Sequence, residues 1–327
     1  MNQKVGKFIF SKLIHFIILF FAVSIFSFIL LQVSPIDPVT AYLKELSVSE
    51  AQRAGLEAYF GVNIPLSEKI LNWLISLLHG NLGISLIYRI PVIDVIANKF
   101  TASIALLSLS WILSGIIGFT LGILAGKNRN TWIDKIVKVY CYIIQSSPAF
   151  WIGMIVLMIF GVYLHWFPVA FGVPIGVTAN NVSLIEWLSR LVLPTVALSM
   201  VGVAPIALYT RNELVGALSS DYIRFAKSRG ESGWELIRRH IKNILLPVIT
   251  LQFLSFNELF GGAVLVEQVF SYPGIGQAAV SAGIQSDVPL LLGIVIFSAI
   301  FVFCGNLIAD IIYYFVDPRI KENEIHD

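Results

Sequence analysis

Charged side chains are scarce in this sequence. Only 13% of its 327 residues are Asp, Glu, Lys or Arg, whereas 57% are hydrophobic. A soluble domain carries about 25% charged residues, and its interior cannot bury the apolar surface that a mean hydropathy of +0.82 implies. The solvent of this chain is therefore lipid. Its net charge of only +2 also excludes nucleic-acid binding, which requires a strongly basic surface.

Cysteine, metal-ligand and nucleotide-binding patterns are missing as well. The two cysteines, Cys141 and Cys304, lie inside apolar runs and indicate no disulfide framework. The five histidines have no metal-ligand spacing. The segment GILAGKN contains Gly-Lys, but Asn128 stands where a phosphate-binding loop needs Ser or Thr. We therefore expect no metal, no cofactor and no catalytic activity, and any ATP hydrolysis must come from another polypeptide.

Long hydrophobic runs are abundant. Six of them are long enough to cross the hydrocarbon core, which is about 30 Å thick, and a span must be helical because no water satisfies its backbone. The predicted spans lie near 8–32, 101–126, 136–164, 187–210, 244–268 and 288–316. Three glycines spaced by four predict close helix packing in the second span: Gly118, Gly122 and Gly126. Four prolines predict kinks in later spans: Pro148, Pro194, Pro205 and Pro247.

The basic residues predict the orientation of the spans. Lysines and arginines precede the first span, follow the last, and cluster between spans two and three and between spans four and five. The loops near 165–186 and 269–287 contain none. By the positive-inside rule, both termini and the loop 212–243 are cytoplasmic. The organisation predicted is thus 1–32 as N-terminal end and first span, 33–100 as an extracytoplasmic loop, 101–316 as a five-helix core, and 317–327 as a cytoplasmic tail.

The extracytoplasmic loop is expected to hold short helices of its own. The sequence SVSE, from Ser47 to Glu50, matches a capping box and predicts a helix that ends near Gly61. The sequence IPLSEKILNWLISLLHG predicts a second, amphipathic helix that Gly80 ends.

The cytoplasmic stretch DYIRFAKSRGESGWELIRRH, residues 221–240, is unusually charged for this chain. It predicts a helix, a turn at Gly230, and a second helix with Ser232 as N-cap and Glu235 in a capping box. Tyr222, Phe225 and Ala226 are expected on one face of the first helix. Such a capped knob could contact a cytoplasmic partner, and the equal alternative is an amphipathic pair resting on anionic lipid.

At DYIRFAKSRG the chain resembles the permease subunits of ATP-binding-cassette (ABC) importers of the dipeptide, oligopeptide and nickel branch. Further similar pieces follow in family order along nearly the full length: FGVNIPLSEKILNWL, HGNLGIS, PAFWIG, LPTVALSM, VEQVFSYPGIGQ and GNLIADIIYYFVDPRI. The general loop pattern begins Glu-Ala-Ala, and this chain instead has Arg224, Phe225 and Ala226. The replacement at Phe225 could alter the fit to a particular ATPase.

The resemblance implies an all-α membrane protein with the six-helix fold of type I ABC importers. It implies a homologous second permease, two cytoplasmic ATPase subunits that bind ATP and Mg²⁺, and an extracytoplasmic solute-binding protein, with the chain in the plasma membrane of a prokaryote. In this family the loop inserts a coupling helix into the ATPase. The coupling residues would be Asp221, Tyr222, Arg224, Phe225, Ala226, Gly230, Trp234 and His240.

Polar residues inside the spans are the candidates for cargo contact, because an ionisable group in the bilayer is costly and usually functional. Glu258, with Gln252 and Asn257 nearby, is predicted to line the path and to favour a cationic cargo. The competing interpretation is a glutamate that pairs with a partner subunit or stays protonated between helices.

The family motifs also point to residues with structural roles. Glu267, Pro273 and Gly274 are expected to shape the outer face or gate. Asn306 and Asp310 are expected to anchor the last span, which Asp317, Pro318 and Arg319 would end.

The function predicted is therefore that of an importer permease for peptides, nickel or metal chelates, driven by separate ATPases. The alternative is a proton-coupled secondary transporter that uses Glu258 and Asp310 as relay carboxylates. The absence of an internal repeat speaks against that alternative. Nothing in the sequence separates the possible cargoes.

Overall fold

The structure is a computed structural model that describes residues 2–33, 39, 49–59, 64–169, 183–230 and 234–316. Every regular element in these ranges is helical. In chain order they are α1 (Asn2–Val33), α2 (Glu50–Tyr59), α3 (Leu66–Leu78), α4 (Val92–Lys127), α5 (Trp132–Gln145), α6 (Ala149–Val156), a π-helical stretch (Leu157–Tyr163), α7 (Leu184–Leu218), α8 (Asp221–Ser228), α9 (Trp234–Leu254), α10 (Phe256–Val269), α11 (Ile275–Ile284) and α12 (Val288–Val316).

The chain forms two compact units, of which the first comprises residues 1–102 and 274–304. Its core joins the first turns of α4 to α11 and α12, through the buried residues Val92, Val95, Ile96, Ile275, Ala278, Ala282, Leu290 and Ile294. Phe100 packs edge-on against Phe297 and Phe301, with ring centroids 4.9 and 5.2 Å away. On α1, Phe28 contacts Trp73 of α3, with ring centroids 4.9 Å apart.

The short helices of this unit correct one predicted cap. Helix α2 begins at Glu50, so Glu50 is its first residue and not its third. The N-cap is Ser49, whose hydroxyl accepts from the Gln52 amide while the Gln52 side chain accepts from the Ser49 amide. The expected box lay two residues too early, and Ser47 and Gly61 lie outside the described residues. Helix α3 ends as predicted, with Gly80 in the left-handed conformation at φ 75°.

The second unit comprises residues 103–273 and 305–327. Its α4 and α7 meet at the predicted glycine face, where a Cβ on Gly118, Gly122 or Gly126 would lie within 3 Å of an atom of α7. Beside these glycines, one apolar cluster joins α4, α7 and α9 through Ile123, Ile206, Leu214, Ile244 and Val248. The packing prediction is confirmed.

The prolines act in two ways. Pro148 is the N-cap of α6, and α5 and α6 meet there at 111°. Pro194 and Pro205, in contrast, lie inside α7, which runs on as one helix of 35 residues. Pro247 lies inside α9, and the break comes later, at Ser255, where α9 and α10 are bent by 53°.

Four described helices are long and apolar enough to cross a membrane, within 12–30, 92–127, 185–218 and 288–311. The two bent pairs, α5 with α6 and α9 with α10, raise the number to six if each pair is one span. Helix α4 starts at Val92, nine residues before the start predicted for the second span. The multi-span, all-helical class is thus confirmed for the described residues.

Candidate functional site

Helix α8 is the predicted coupling helix, and it packs against Leu218 at the end of α7. Ile223 is fully buried and Ala226 is 5% exposed, and both pack against Leu218. Phe225 points away from this contact and is 62% exposed. The predicted face was therefore partly wrong, since the buried partner of Ala226 is Ile223 and not Phe225. Residues three apart share a helix face, whereas adjacent residues diverge by about 100°.

The turn after α8 is made by Gly230, whose φ is +88°. A Cβ there would meet nothing within 4 Å, so the backbone conformation, not space, requires glycine. Asp221 is exposed. The side chains of Tyr222, Arg224, Trp234 and His240, and residues 231–233 with the predicted capping box, lie outside the described part of the structure.

A buried ion pair between α5 and α7 was missed by the sequence reasoning. Asp134, in the first turn of α5, is fully buried. Arg211 of α7 donates to it through Nε at 3.0 Å and through Nη2 at 2.9 Å. The Asn130 amide donates to Asp134 Oδ2 at 3.0 Å, and Lys138 Nζ lies 3.5 Å from the same oxygen. No spacing rule joins partners 77 residues apart, so one sequence carries no signal for this pair.

Gln252, a predicted path residue, is 7% exposed and is turned toward α4. Its Nε2 donates to the Trp111 carbonyl oxygen at 2.6 Å, while Trp111 Nε1 donates to the Gln252 carbonyl oxygen at 2.8 Å. A Cβ on Gly115 would lie 3.2 Å from the Gln252 amide. Gln252 thus joins α9 to α4 three residues before the break at Ser255.

Glu258, the other described path residue, is exposed, whereas Gln252 is buried. Glu258 lies in the first turn of α10. Leu259, Ala263 and Val266 form the buried face of this helix, at 1%, 3% and 0% exposure. The exposed face carries Glu258, Gly261, Leu265 and Gln268. The side chain of Asn257 lies outside the described part.

Glu267, predicted near the outer gate, is 1% exposed and accepts from the Ser103 hydroxyl at 2.5 Å. The Tyr272 amide donates to the Glu267 carbonyl oxygen at 2.8 Å. Burial, reinforced by the Glu267 charge, raises the pKa of the Tyr272 phenol. Pro273 follows, and Gly274 is the N-cap residue of α11. Glu267 and Tyr272 are therefore both buried where α10 ends.

A second buried carboxylate, Asp287, was also missed. Its Oδ2 accepts from the Ser85 hydroxyl at 2.5 Å and from the Ile87 amide at 3.0 Å. Its Oδ1 accepts from the Leu290 amide at 3.1 Å. Asp287 thereby fixes the turn 84–91, in which Arg89 has a φ of 56° and Tyr88 is 37% exposed.

The remaining predicted anchors lie on the last helix. Asn306 is exposed and Asp310 is half-buried, one turn apart on α12. Asp317, Pro318 and Arg319 lie outside the described residues, so the predicted end of this helix stays a prediction. The described residues contain no group of three His, Cys, Asp or Glu side chains that could hold a metal ion.

Comparison with known proteins settles the class. Residues 118–322 match the family described as "Binding-protein-dependent transport system inner membrane component". The chain belongs to this family. It is the permease of an ABC importer and a multi-pass protein of the bacterial cytoplasmic membrane, as the resemblance implied. The family is a transport component and not an enzyme, and it gives no support to the alternative of a proton-coupled transporter.

Relatives extend the match over nearly the whole permease. The oligopeptide transport system permease protein AppB of Bacillus subtilis is 33% identical over 303 residues, 91% of this chain and 94% of its own. The probable peptide ABC transporter permease protein y4tP of Sinorhizobium fredii is 34% identical over 318 residues, 97% of this chain and 99% of its own. A putative peptide permease protein of Brucella suis is 32% identical over 303 residues, 92% of this chain and 94% of its own.

Proposed function

We propose that this permease carries peptides into the cell. The observation that supports this cargo is the set of near-full-length relatives, which are named as oligopeptide or peptide permeases. Nickel and metal chelates, which the sequence left open, have no relative among those described above.

The complex that would carry out this function contains a second, homologous permease, two cytoplasmic ATPases and an extracytoplasmic binding protein. ATP and Mg²⁺ are bound by the ATPases. Helix α8 is the contact to one ATPase. An exposed aromatic on a short helix whose other face is anchored supports that role, because aromatic side chains are enriched among the residues that dominate interfaces. ATP-driven closure of the ATPases would move α8 and, with it, α7.

The topology that fits this assembly has six spans, with α5–α6 and α9–α10 each counted as one, and cytoplasmic termini. Its support is the distribution of lysine and arginine, which are absent from 165–186 and 269–287. In this orientation the turn 84–91 that Asp287 fixes is extracytoplasmic. That turn would belong to the surface on which the binding protein lands.

Glu258 is the residue we propose for contact with cargo. A carboxylate on the exposed face of a membrane helix is stable only against a partner or a water-filled path. The N-terminal ammonium of a peptide is a cation that such a carboxylate would attract. Gly261, on the same face, has open space around its Cα, so a passing peptide can approach the backbone there.

The test is uptake of radiolabelled tri-alanine by cells that lack this gene, compared with the complemented strain, with radioactive Ni²⁺ as the parallel probe. We expect tri-alanine uptake to fall at least about tenfold on deletion and to return on complementation, and Ni²⁺ uptake to be unchanged. Loss of Ni²⁺ uptake alone would replace the peptide with a metal cargo.

The role of Glu258 needs a separate variant. In Glu258→Gln we expect the KM for tri-alanine to rise about three- to tenfold, because one charge-assisted contact is worth about 1 kcal/mol more than a neutral one. Gln268→Glu serves as a control on the same exposed face. An N-acetylated tripeptide, which has no ammonium, should be insensitive to Glu258→Gln. Equal effects of that substitution on both peptides would remove Glu258 from cargo contact.

A further inference from the structure

The end of α7 carries two different attachments within two turns. Arg211 binds Asp134 of α5, and Leu218, seven residues later, packs against Ile223 and Ala226 of α8. Seven residues of helix rise about 10 Å. The segment 211–218 of α7, called the rod below, therefore holds the buried ion pair at one end and the contact with α8 at the other.

The rod is closely packed along its length. A Cβ on Gly126 of α4 would lie 2.9 Å from Leu214 Cδ2 and 3.2 Å from the Arg211 carbonyl oxygen. Leu214 is fully buried in the cluster with Ile244 and Val248 of α9, and Leu218 packs against the same cluster. A displacement of α8 therefore reaches α4, α7 and α9 through apolar contact. Helix α5 also packs against α7, and the ion pair adds two directed hydrogen bonds to that packing.

Apolar contacts and the ion pair constrain different motions. Leucine and isoleucine contacts have no preferred direction, so they do not by themselves fix the rotation of one helix against another. The guanidinium fork of Arg211 meets both carboxylate oxygens, and this two-bond arrangement fixes the rotation of α7 against α5. A buried ion pair is weak evidence for stability, because desolvation offsets much of its attraction. Its effect here is geometric: it defines one register between α7 and α5.

We propose that Asp134 and Arg211 are positioning residues for energy coupling, which tie α5 to α7 so that movement of α8 reaches the α5–α6 span. The proposal rests on the proposed function, because it takes α8 as the ATPase contact. Asp134 is fully buried, Arg211 is bound to it, and neither residue lies on α8. Without the pair, the ATPases still bind and hydrolyse ATP, but part of each stroke slides α7 past α5 and moves no peptide.

The experiment uses the complete transporter, with its second permease, ATPases and binding protein, reconstituted in proteoliposomes. The measured quantity is ATP hydrolysed per molecule of tri-alanine taken up. The main variant is the neutral pair, Asp134→Asn with Arg211→Gln, which removes both charges and leaves no unpaired buried ion. Lys138→Gln is the control, because Lys138 is 30% exposed and lies farther from the carboxylate, at 3.5 Å.

We expect the neutral pair to retain bound ATPases and to raise the ATP used per tripeptide at least about threefold, within the range by which residues between two sites alter their coupling. The Lys138→Gln control should leave the ratio unchanged. A purely structural pair predicts a different result, namely normal ATP use per tripeptide in every transporter that assembles. That outcome would overturn the proposal.

Two further measurements, on Arg211→Lys and on the wild-type transporter, show whether a negative result counts against the ion pair or against the peptide cargo. If the neutral pair does not assemble, Arg211→Lys keeps the charge and loses the two-bond fork, and it should still raise the ratio, by a smaller factor. A wild-type ratio in Arg211→Lys would then overturn the proposal. The wild-type arm reports on the function itself: ATP-dependent tri-alanine uptake must be present there, and its absence would count against the peptide cargo and not against the ion pair.

Discussion

Replacing Gly122 with alanine tests whether α4 and α7 meet backbone to backbone. A Cβ at this position would lie 2.5 Å from Thr210 Cβ and 2.7 Å from the Ala207 carbonyl oxygen. Ordinary carbon contacts are about 3.5–4.0 Å long, so α7 must move away by about 1 Å. The Ala207 oxygen belongs to the backbone and cannot rotate aside. The whole interface, including Gly118 and Gly126, must therefore open.

The expected magnitude follows from a matched pair of variants. Forcing a methyl group into a packed interface costs about 1–3 kcal/mol, while alanine in place of glycine returns about 1 kcal/mol of helix propensity. Gly216, on α7, is the control, because a Cβ there would meet nothing within 4 Å. Helix propensity cancels between Gly122→Ala and Gly216→Ala. The difference between them, about 2 kcal/mol, measures the close approach alone.

The protein supplies its own reporter for this assay. Cys141 is buried and Cys304 is exposed, so in a Cys304→Ser background a thiol-reactive dye labels the chain only when the second unit opens. We expect the thermal midpoint of Gly122→Ala to lie roughly 4–8 °C below that of Gly216→Ala. Equal midpoints would refute the close packing of α4 against α7.

Two other substitution pairs test the coupling helix and the outer turn. Phe225→Ala should weaken ATPase co-purification about tenfold with little effect on the thermal midpoint, because Phe225 is exposed. Ile223→Ala should instead lower the free energy of unfolding by about 2–4 kcal/mol, because Ile223 is buried. The reverse pattern would contradict the packing of α8 against Leu218 through Ile223. Asp287→Ala should increase hydrogen exchange at the Ile87 amide by at least about tenfold, because a hydrogen bond to a charged group is worth about 1.5–3 kcal/mol. The exposed Asp94→Ala should leave that exchange unchanged, and protection of Ile87 in both variants would show that the carboxylate does not fix the turn.

Much of the fold was predictable because lipid imposes simple rules on sequence. The apolar runs, the small-residue face Gly118–Gly122–Gly126 and the end of α3 at Gly80 all depend on local composition or on one backbone conformation. The early start of α4 was not predictable in this way. Asp94 and Lys99 interrupt the apolar run there, and the added turns are buried through α11 and α12, which lie far along the chain.

The candidate site was predictable in place and only partly in detail. The charged stretch 221–240 marked α8, since such density of charge is rare in this sequence. Which face of α8 is buried depends on Leu218, at the end of the preceding helix, and the sequence gives no register between them. The same limit hid the partners of the buried carboxylates, which lie 77, 164 and 202 residues away in the chain.

Four acidic residues show why composition identifies important positions without identifying their roles. Asp134, Glu267 and Asp287 are each at most 1% exposed, and each accepts from a donor on a distant segment. These three therefore join parts of this chain to one another. Glu258 is exposed on a membrane helix, where its charge needs a partner or water from outside the chain. The fold leaves Glu258 uncovered on α10, and that difference in burial is why Glu258, and not the other three, is the residue to test against peptide charge.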